Sequence, residues 1–161
     1  MRLILIFLFI LPPLAAADHL PIADKVVVKK SLHKLYLLRN KLIIKQYDIS
    51  LGGNIIGHKE KEGDQRTPEG QYILDYKKND SAYYKALHIS YPNTQDKNNA
   101  QQKGVNPGGA IMIHGQKNGY GWASFIVQLF DWTQGCIAVT NTEIDEIWHS
   151  TKVGTPIEIL P

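Results

Sequence analysis

Two residues of this chain have side chains suited to nucleophilic catalysis. Cys136 is the only cysteine among the 161 residues, and His114 precedes it by 22 positions. A cysteine attacks a carbonyl carbon as its thiolate, and an imidazole within hydrogen-bond reach can take the thiol proton and later return it to a leaving amine. Gly135 comes directly before Cys136, and a glycine there lets backbone N–H groups face a developing oxyanion. We therefore interpret His114 and Cys136 as the base and the nucleophile of an active site.

Two other interpretations of the cysteine are open from residue types alone. Free cysteine is among the most buried residue types, so Cys136 can also be an inert core thiol, although the preceding Gly135 argues against this. A zinc site requires at least three convergent ligands. No ligand spacing connects the pair with the remaining histidines, which are His19, His33, His58, His88 and His149. We expect neither a metal nor a cofactor, and give His58 and His88 more weight only because each lies beside a stretch that can shape a groove.

The elements around the pair are predicted to place both residues at strand ends. The apolar run 110–113 predicts a short buried strand that ends at His114. The sequence 133–135 predicts a turn before Cys136, and residues 137–139 predict the next strand. The intervening segment, 116–131, combines glycines with bulky apolar residues and is either a short helix or a lid over the site.

A capped helix is predicted after the cysteine. Thr140 and Glu143 have the spacing of a capping box, and Ile144, Ile147 and Trp148 follow at i, i+3 and i+4. The helix is expected to end before Gly154. Alternating residues then predict a last strand over 155–160.

The first half of the chain is predicted to be mainly β. Strands are expected over 25–30, 33–38 and 41–50, with a hairpin turn at Asn40, because asparagine tolerates the left-handed backbone conformation. A β-turn at 67–70 leads into a strand over 71–76, and its charged residues either line a groove or only support the turn. Residues 79–81 are predicted to cap a helical turn through Tyr84, followed by a strand over 87–90. The polar stretch 93–103 is an exposed helix or loop. These elements predict a mainly β domain, either a sandwich or a partly open barrel.

The first 17 residues have the pattern of a secretory signal peptide. Arg2 precedes an apolar run over 3–11, and Ala15 and Ala17 fit a cleavage site. The run is shorter than the roughly 18 residues of a membrane span, although an uncleaved anchor is the alternative. We expect residues 18–161 to form a single domain without stable membrane insertion after cleavage, exported to the periplasm and monomeric.

The charge balance argues against a nucleic-acid partner. The formal charge is +3 at pH 7 for the whole chain and +2 once the segment containing Arg2 is removed. This value is too small to indicate binding to a polyanion. A single cysteine also excludes a disulfide within the exported chain.

Three ordered motifs give the chain a family resemblance. They are residues 66–72 (RTPEGQY), 111–115 (IMIHG) and 131–141 (DWTQGCIAVTN). Over residues 52–161 the sequence resembles the catalytic domain of the L,D-transpeptidase (YkuD) family, and specifically a short, single-domain periplasmic subgroup. The resemblance implies a β-sandwich of mixed sheets with one or two short helices. It also implies an enzyme that acts on peptidoglycan stem peptides outside the cytoplasm.

The resemblance assigns a role to each residue of the motif. It implies that Cys136 is the nucleophile, that His114 is the general base and acid, and that the Gly115 carbonyl orients the imidazole. Thr133, Gln134 and Gly135 are expected to form the oxyanion hole and bind substrate, with the N–H groups of Gln134, Gly135 and Cys136 as donors. Cys136 would attack the carbonyl before the terminal D-residue of a stem peptide. Acylation of Cys136 by a carbapenem is implied as well.

Two departures from the family pattern affect the second half of that reaction. Many members have histidine where this chain has Gln134, and arginine where it has Ala138. An amide does not titrate near neutral pH, and alanine removes a cation near the nucleophile, so the choice of acyl acceptor stays open. The alternatives are cross-linking or exchange of the terminal D-residue, hydrolysis of the stem peptide or release of a wall-linked protein, and a non-catalytic wall-binding protein.

Overall fold

The structure is a computed structural model that describes residues 20–161. Eight strands form the framework of this part: β1 (Lys25–Lys29), β2 (Lys34–Arg39), β3 (Leu42–Asp48), β4 (Gly70–Ser81), β5 (Tyr84–Ile89), β6 (Met112–His114), β7 (Ile137–Ala138) and β8 (Thr155–Leu160). Its helices are α1 (Thr94–Gln102), α2 (Ser124–Val127) and α3 (Asn141–Ser150). The predicted mainly β fold is confirmed, with three helices in place of the expected one or two. The predicted signal peptide, residues 1–17, lies outside the described residues.

All eight strands belong to one mixed sheet. Their order is β3-β2-β1-β8-β4-β5-β6-β7, with parallel pairing between β1 and β8 and between β6 and β7. The sheet curls until its two edges meet, because Ser50, just beyond β3, exchanges backbone hydrogen bonds of 2.9 and 2.8 Å with Ala138 of β7. The expected sandwich is therefore a single mixed sheet folded onto itself, with the core between its two halves.

The β2–β3 hairpin forms where the sequence predicts it. Asn40 and Lys41 both have positive φ, at 51° and 66°, which is the backbone twist that joins two antiparallel strands through two residues. The Asn40 N–H also donates to Asp24 Oδ2 at 2.6 Å. A local turn signal was sufficient here because the turn and its register depend on neighbouring residues.

The prediction of a helical turn after residues 79–81 is wrong. Strand β4 continues through these residues to Ser81, and Ala82 and Tyr83 form the turn into β5. The Ser81 hydroxyl, expected to cap a helix, instead accepts the Tyr83 N–H at 3.0 Å within this hairpin. Pairing of β4 with both β5 and β8 outweighs the local turn preference of the polar residues.

Helix α3 closes one end of the core and confirms the predicted capping box. The Thr140 hydroxyl accepts the Glu143 N–H, and the Glu143 carboxylate accepts the Thr140 N–H at 2.9 Å. Ile144 and Ile147 are fully buried in the core, and burying such a side chain is worth about 1.5–3 kcal/mol. The predicted last strand is β8, which lies at the centre of the sheet between β1 and β4.

The two segments for which the sequence allows either a helix or another conformation both contain helices. Residues 94–102 form α1, capped by Asn93, whose side chain accepts the Asp96 N–H at 3.0 Å. The 116–131 segment contains the single-turn helix α2, and it is fixed by Gln128, whose side-chain oxygen accepts from Gln116 at 3.0 Å. Several apolar side chains of this segment remain exposed: Trp122, Phe125, Ile126, Leu129 and Phe130.

Candidate active site

Cys136 and His114 lie at the ends of two neighbouring parallel strands. His114 is the last residue of β6, and Cys136 immediately precedes β7, in a register that pairs His114 with Ala138. Residues two apart on a strand share a face, so Cys136 lies on the same face as Ala138 and His114. Both side chains line a cleft of about 440 Å³. Its walls are Lys78, Ser81, Ala82, Tyr83, Ala110, Met112, His114, Trp132, Thr133, Gln134 and Cys136.

The His114 ring is fixed by the backbone that follows it. Its Nδ1 lies 2.6 Å from the Gly115 carbonyl oxygen. A carbonyl oxygen only accepts, so Nδ1 carries the proton and Nε2 of the neutral ring is left as an acceptor. The side chain is 4% exposed, and this burial lowers the pKa of His114, against the opposing effect of the Gly115 bond. The ring is therefore held as a neutral base, in the tautomer that can take a proton at Nε2.

Two aromatic rings hold the imidazole in place. The Tyr83 ring lies over His114 with the centroids 4.6 Å apart, and the Trp132 ring meets it edge-on at 5.7 Å. Tyr83 belongs to the β4–β5 turn, 31 positions before the histidine in sequence, and no local pattern predicts their contact. Trp132 lies inside the cysteine motif. A bulky aromatic residue next to the predicted turn is the one sequence feature that could indicate its contact with the site.

The turn before Cys136 is built around the Thr133 side chain. The Thr133 hydroxyl donates to the Cys136 carbonyl at 2.7 Å and accepts the Gly135 N–H at 3.1 Å. The Gly135 N–H, expected to be an oxyanion donor, thus has an acceptor within the turn. The amides of Gln134 and Cys136 are the two expected donors that this bond leaves available.

Gly135 is required by both conformation and space. Its φ of +118° is one that side-chain-bearing residues rarely adopt, and a Cβ there would lie 2.5 Å from the Arg66 carbonyl oxygen. The RTPEGQY motif therefore contributes backbone that packs behind the cysteine turn. The buried Lys30 holds this backbone by donating to the Thr67 carbonyl at 3.3 Å and to Glu69 at 2.7 Å. Of the two interpretations of the motif, these contacts favour the supporting one.

The Cys136 thiol is partly exposed to the cleft, and opposing effects act on its pKa. Its Sγ lies 3.5 Å from the Ala110 carbonyl oxygen. Burial raises the pKa of Cys136, while the Met112 N–H and the cation of Lys59 act to lower it. The net direction is upward, so the resting group is a thiol. The neutral imidazole of His114 lines the same cleft, so the two groups are both uncharged at rest and attack by the sulfur requires proton transfer.

A second, smaller cleft adjoins the first at Gln134. It encloses about 290 Å³ and contains Gln134 in its wall but not Cys136. Its other lining residues are Lys59, Glu62, Gly63, Gly108 and Gly109. The exposed Gln134 side chain therefore lies at the boundary between the two open spaces.

His58 and His88, the other two histidines considered for a groove, do not line the cleft. His58 pairs with Asp96 of α1 at 3.1 Å, and His88 pairs with Asp75 at 2.6 Å. Within residues 20–161, His, Cys, Asp and Glu side chains form no group of three or more arranged to hold a metal ion. In the same range, every helix is too short or too polar to serve as a transmembrane span.

Comparison with known proteins gives a consistent set of relatives. The family model described as the L,D-transpeptidase catalytic domain (YkuD) matches residues 23–159. The Escherichia coli K12 protein named "Putative L,D-transpeptidase YafK" is 33% identical over 109 residues, which cover 66% of this chain and 37% of YafK. The chain therefore corresponds to little more than a third of that relative.

Solved structures extend the similarity to the fold. The helical cell shape determining protein Pgp2 from Campylobacter jejuni superposes with a TM-score of 0.64 and 26% identity, over 84% of this chain and 46% of Pgp2. An L,D-transpeptidase from Xylanimonas cellulosilytica matches with a TM-score of 0.58 and 13% identity, over 86% of this chain and 61% of that structure. At 13% identity, this second likeness concerns the fold alone.

Proposed function

The chain belongs to the L,D-transpeptidase (YkuD) catalytic domain family, and we propose that it is a cysteine-dependent acyltransferase acting on peptidoglycan stem peptides. One observation carries the proposal. His114, fixed through Nδ1 with Nε2 left as the acceptor, lines the same cleft as the chain's single cysteine, Cys136, at the ends of adjacent parallel strands. This arrangement supports a base and a nucleophile acting on one substrate carbonyl.

The first half-reaction forms a thioester. Cys136 Sγ attacks the carbonyl carbon that joins the third stem residue to the terminal D-residue, while His114 Nε2 takes the thiol proton. The resulting imidazolium donates that proton to the leaving amine as the C–N bond breaks, so the terminal D-residue departs and the acyl group stays on sulfur. The neutral resting pair supports coupled attack and proton transfer, because burial disfavours both the thiolate and the imidazolium.

The oxyanion of the tetrahedral intermediate would be bound by backbone amides. We assign the N–H groups of Gln134 and Cys136 to this role, because the Gly135 N–H already donates to Thr133. Thr133 and Gly135 then serve by holding the turn in shape. Donors fixed before the reaction stabilise developing charge without the cost of reorganisation.

The second half-reaction releases the acyl group. A side-chain amine of a second stem peptide, the amine of another D-residue or a water molecule attacks the thioester, His114 takes its proton, and the proton returns to Sγ. The cleft that shares Gln134 supports an acceptor approaching from the far side of the turn. Hydrolysis uses the same residues with water as the acceptor. It would either trim the stem peptide or release a wall-linked protein. The naming of the similar Pgp2 as a cell shape determining protein supports a role in wall shape for either outcome.

We further propose that the protein works as a monomer in the periplasm. The pattern of residues 1–17 supports export and cleavage, which would leave residues 18–161 as the working domain. Edman sequencing of the protein recovered from the periplasmic fraction should begin at or near residue 18. Recovery of an intact Met1 in the membrane fraction would instead support the uncleaved anchor.

Product analysis tests the proposed reaction. The mature protein is incubated with purified tetrapeptide muropeptides, and the products are identified by mass spectrometry. Cross-linked dimers would establish transfer, and tripeptides without dimers would establish hydrolysis. The Cys136→Ala protein is the control and should give neither. Retention of the full biological effect by Cys136→Ala in cells would refute catalysis and support a wall-binding protein.

A further inference from the structure

A single row of residues crosses four strands and passes through the active site. The register pairs Lys78 of β4 with Ala86 of β5, Ala86 with His114 of β6, and His114 with Ala138 of β7. Paired residues on neighbouring strands point to the same face of a sheet. Strands lie roughly 4.8 Å apart, so the Lys78 and His114 backbones are separated by about 10 Å, on one face.

The residue between them in this row is small. Ala86 has only a methyl group and is fully buried, so it adds no bulk of its own between Lys78 and the histidine. Lysine has a long flexible stem that can carry its ammonium group over such a gap. Lys78 accordingly lines the cleft that holds Cys136.

Lys78 is the only formally charged side chain in the wall of this cleft as the structure describes it. Its Nζ has no ion-pair partner within 4 Å among residues 20–161. The adjacent Lys77 differs, because its ammonium donates to the Thr151 carbonyl at 2.8 Å and to the Trp148 carbonyl. The cleft therefore contains an ammonium group that is not neutralised and no carboxylate.

We propose that Lys78 determines specificity by binding the α-carboxylate of the substrate's terminal residue. The inference rests on the proposed function for the identity of the peptide. When the scissile carbonyl sits at Cys136, the carboxylate of the terminal D-residue lies one Cα beyond the leaving nitrogen, and so within the same cleft.

A binding experiment separates this role from catalysis. In a Cys136→Ala background, affinity is measured by calorimetry for a stem tetrapeptide with a free terminal carboxylate and for the same peptide with a terminal amide. The free acid should bind more tightly. Adding Lys78→Met should weaken binding of the acid about two- to fivefold, the range expected of an exposed ion pair, and leave the amide unchanged. Lys78→Arg should retain the preference.

A matched control removes the same charge elsewhere. Lys97 is an exposed residue of α1 and lines none of the clefts described above, so Lys97→Met should leave both affinities unchanged. The proposal is overturned if Lys78→Met weakens binding of the acid and the amide peptides equally. It is also overturned if the variant keeps the full preference for the acid. In the Cys136 enzyme, Lys78→Met should raise KM for the acid with little change in kcat. If the protein that retains both Cys136 and Lys78 turns over neither peptide, the proposed reaction fails. The binding comparison still decides the role of Lys78 in that case.

Discussion

Replacement of Thr133 by valine tests whether its hydroxyl holds the turn of the nucleophile. That hydroxyl donates to the Cys136 carbonyl at 2.7 Å and accepts the Gly135 N–H at 3.1 Å, in a side chain that is almost wholly buried. Valine has nearly the same shape but leaves one acceptor and one donor without a partner. Each unsatisfied buried group costs about 1–3 kcal/mol. Because the Cys136 carbonyl is only partly buried, we expect the free energy of unfolding to fall by about 2–4 kcal/mol.

The same substitution should slow acylation of Cys136. The turn also orients the amides of Gln134 and Cys136, and displacing a catalytic group by about 1 Å can cost roughly 100-fold in rate. We expect a fall of about 10- to 100-fold in the acylation rate at a temperature where the protein remains folded. An ordinary domain has a free energy of unfolding of about 5–15 kcal/mol. The expected loss of stability therefore still allows the variant to fold.

Two measurements and one control variant test the reasoning. Urea unfolding followed by tryptophan fluorescence gives the stability change, and intact-mass analysis after mixing with a carbapenem gives the acylation rate. Thr133→Ser keeps the hydroxyl and should retain most of the stability and the rate. The reasoning is refuted if Thr133→Val matches the wild type in both assays, or if serine is as damaging as valine.

Four further predictions concern the pair and its glycine. Cys136→Ser should lose most turnover, because a hydroxyl is harder to deprotonate than a thiol, and wild-type turnover of muropeptides would contradict the assignment. His114→Gln should abolish turnover with an unchanged circular dichroism spectrum. Because only the neutral imidazole accepts a proton and burial lowers the pKa of His114, the acylation rate should rise with pH and reach half its plateau below about pH 6.5; a midpoint above that value would contradict the inference. Gly135→Ala, with its Cβ 2.5 Å from the Arg66 carbonyl, should lower the thermal midpoint and acylation together, and a neutral effect on both would show that the turn can relax.

The sequence predicts those parts of the site that depend on near neighbours. The capping box of Thr140 and Glu143 lies within one helical turn, and the hairpin turn contains Asn40, a residue type that tolerates positive φ. Each of these features is decided by backbone preferences over four or five positions. His114 at the end of β6 and Cys136 before β7 could be predicted for the same reason.

The sequence does not predict contacts made by strand register. Tyr83 reaches His114 because β4 and β5 form a hairpin whose turn lies beside the end of β6, and Lys78 reaches the cleft through pairing across β5. Neither residue belongs to a motif. The side chains of residues 79–81 favour a helix cap, but this prediction is wrong because strand pairing fixes their backbone in β4. Likewise, no local signal places the last strand, β8, between β1 and β4.

The position of Cys136, the proposed nucleophile, follows from how the sheet closes. The cysteine turn is joined to the chain beyond β3, since the Thr133 N–H donates to the Leu51 carbonyl at 3.1 Å and the Leu51 N–H donates to Asp131 at 2.8 Å. The bonds between Ser50 and Ala138 continue the same seam into β7. Cys136 therefore lies where the two edges of the sheet meet, while His114 belongs to β6, one strand inside that edge. Because the alignment of the pair depends on this closure, separation of the edges would disable the site even while the central strands stay paired.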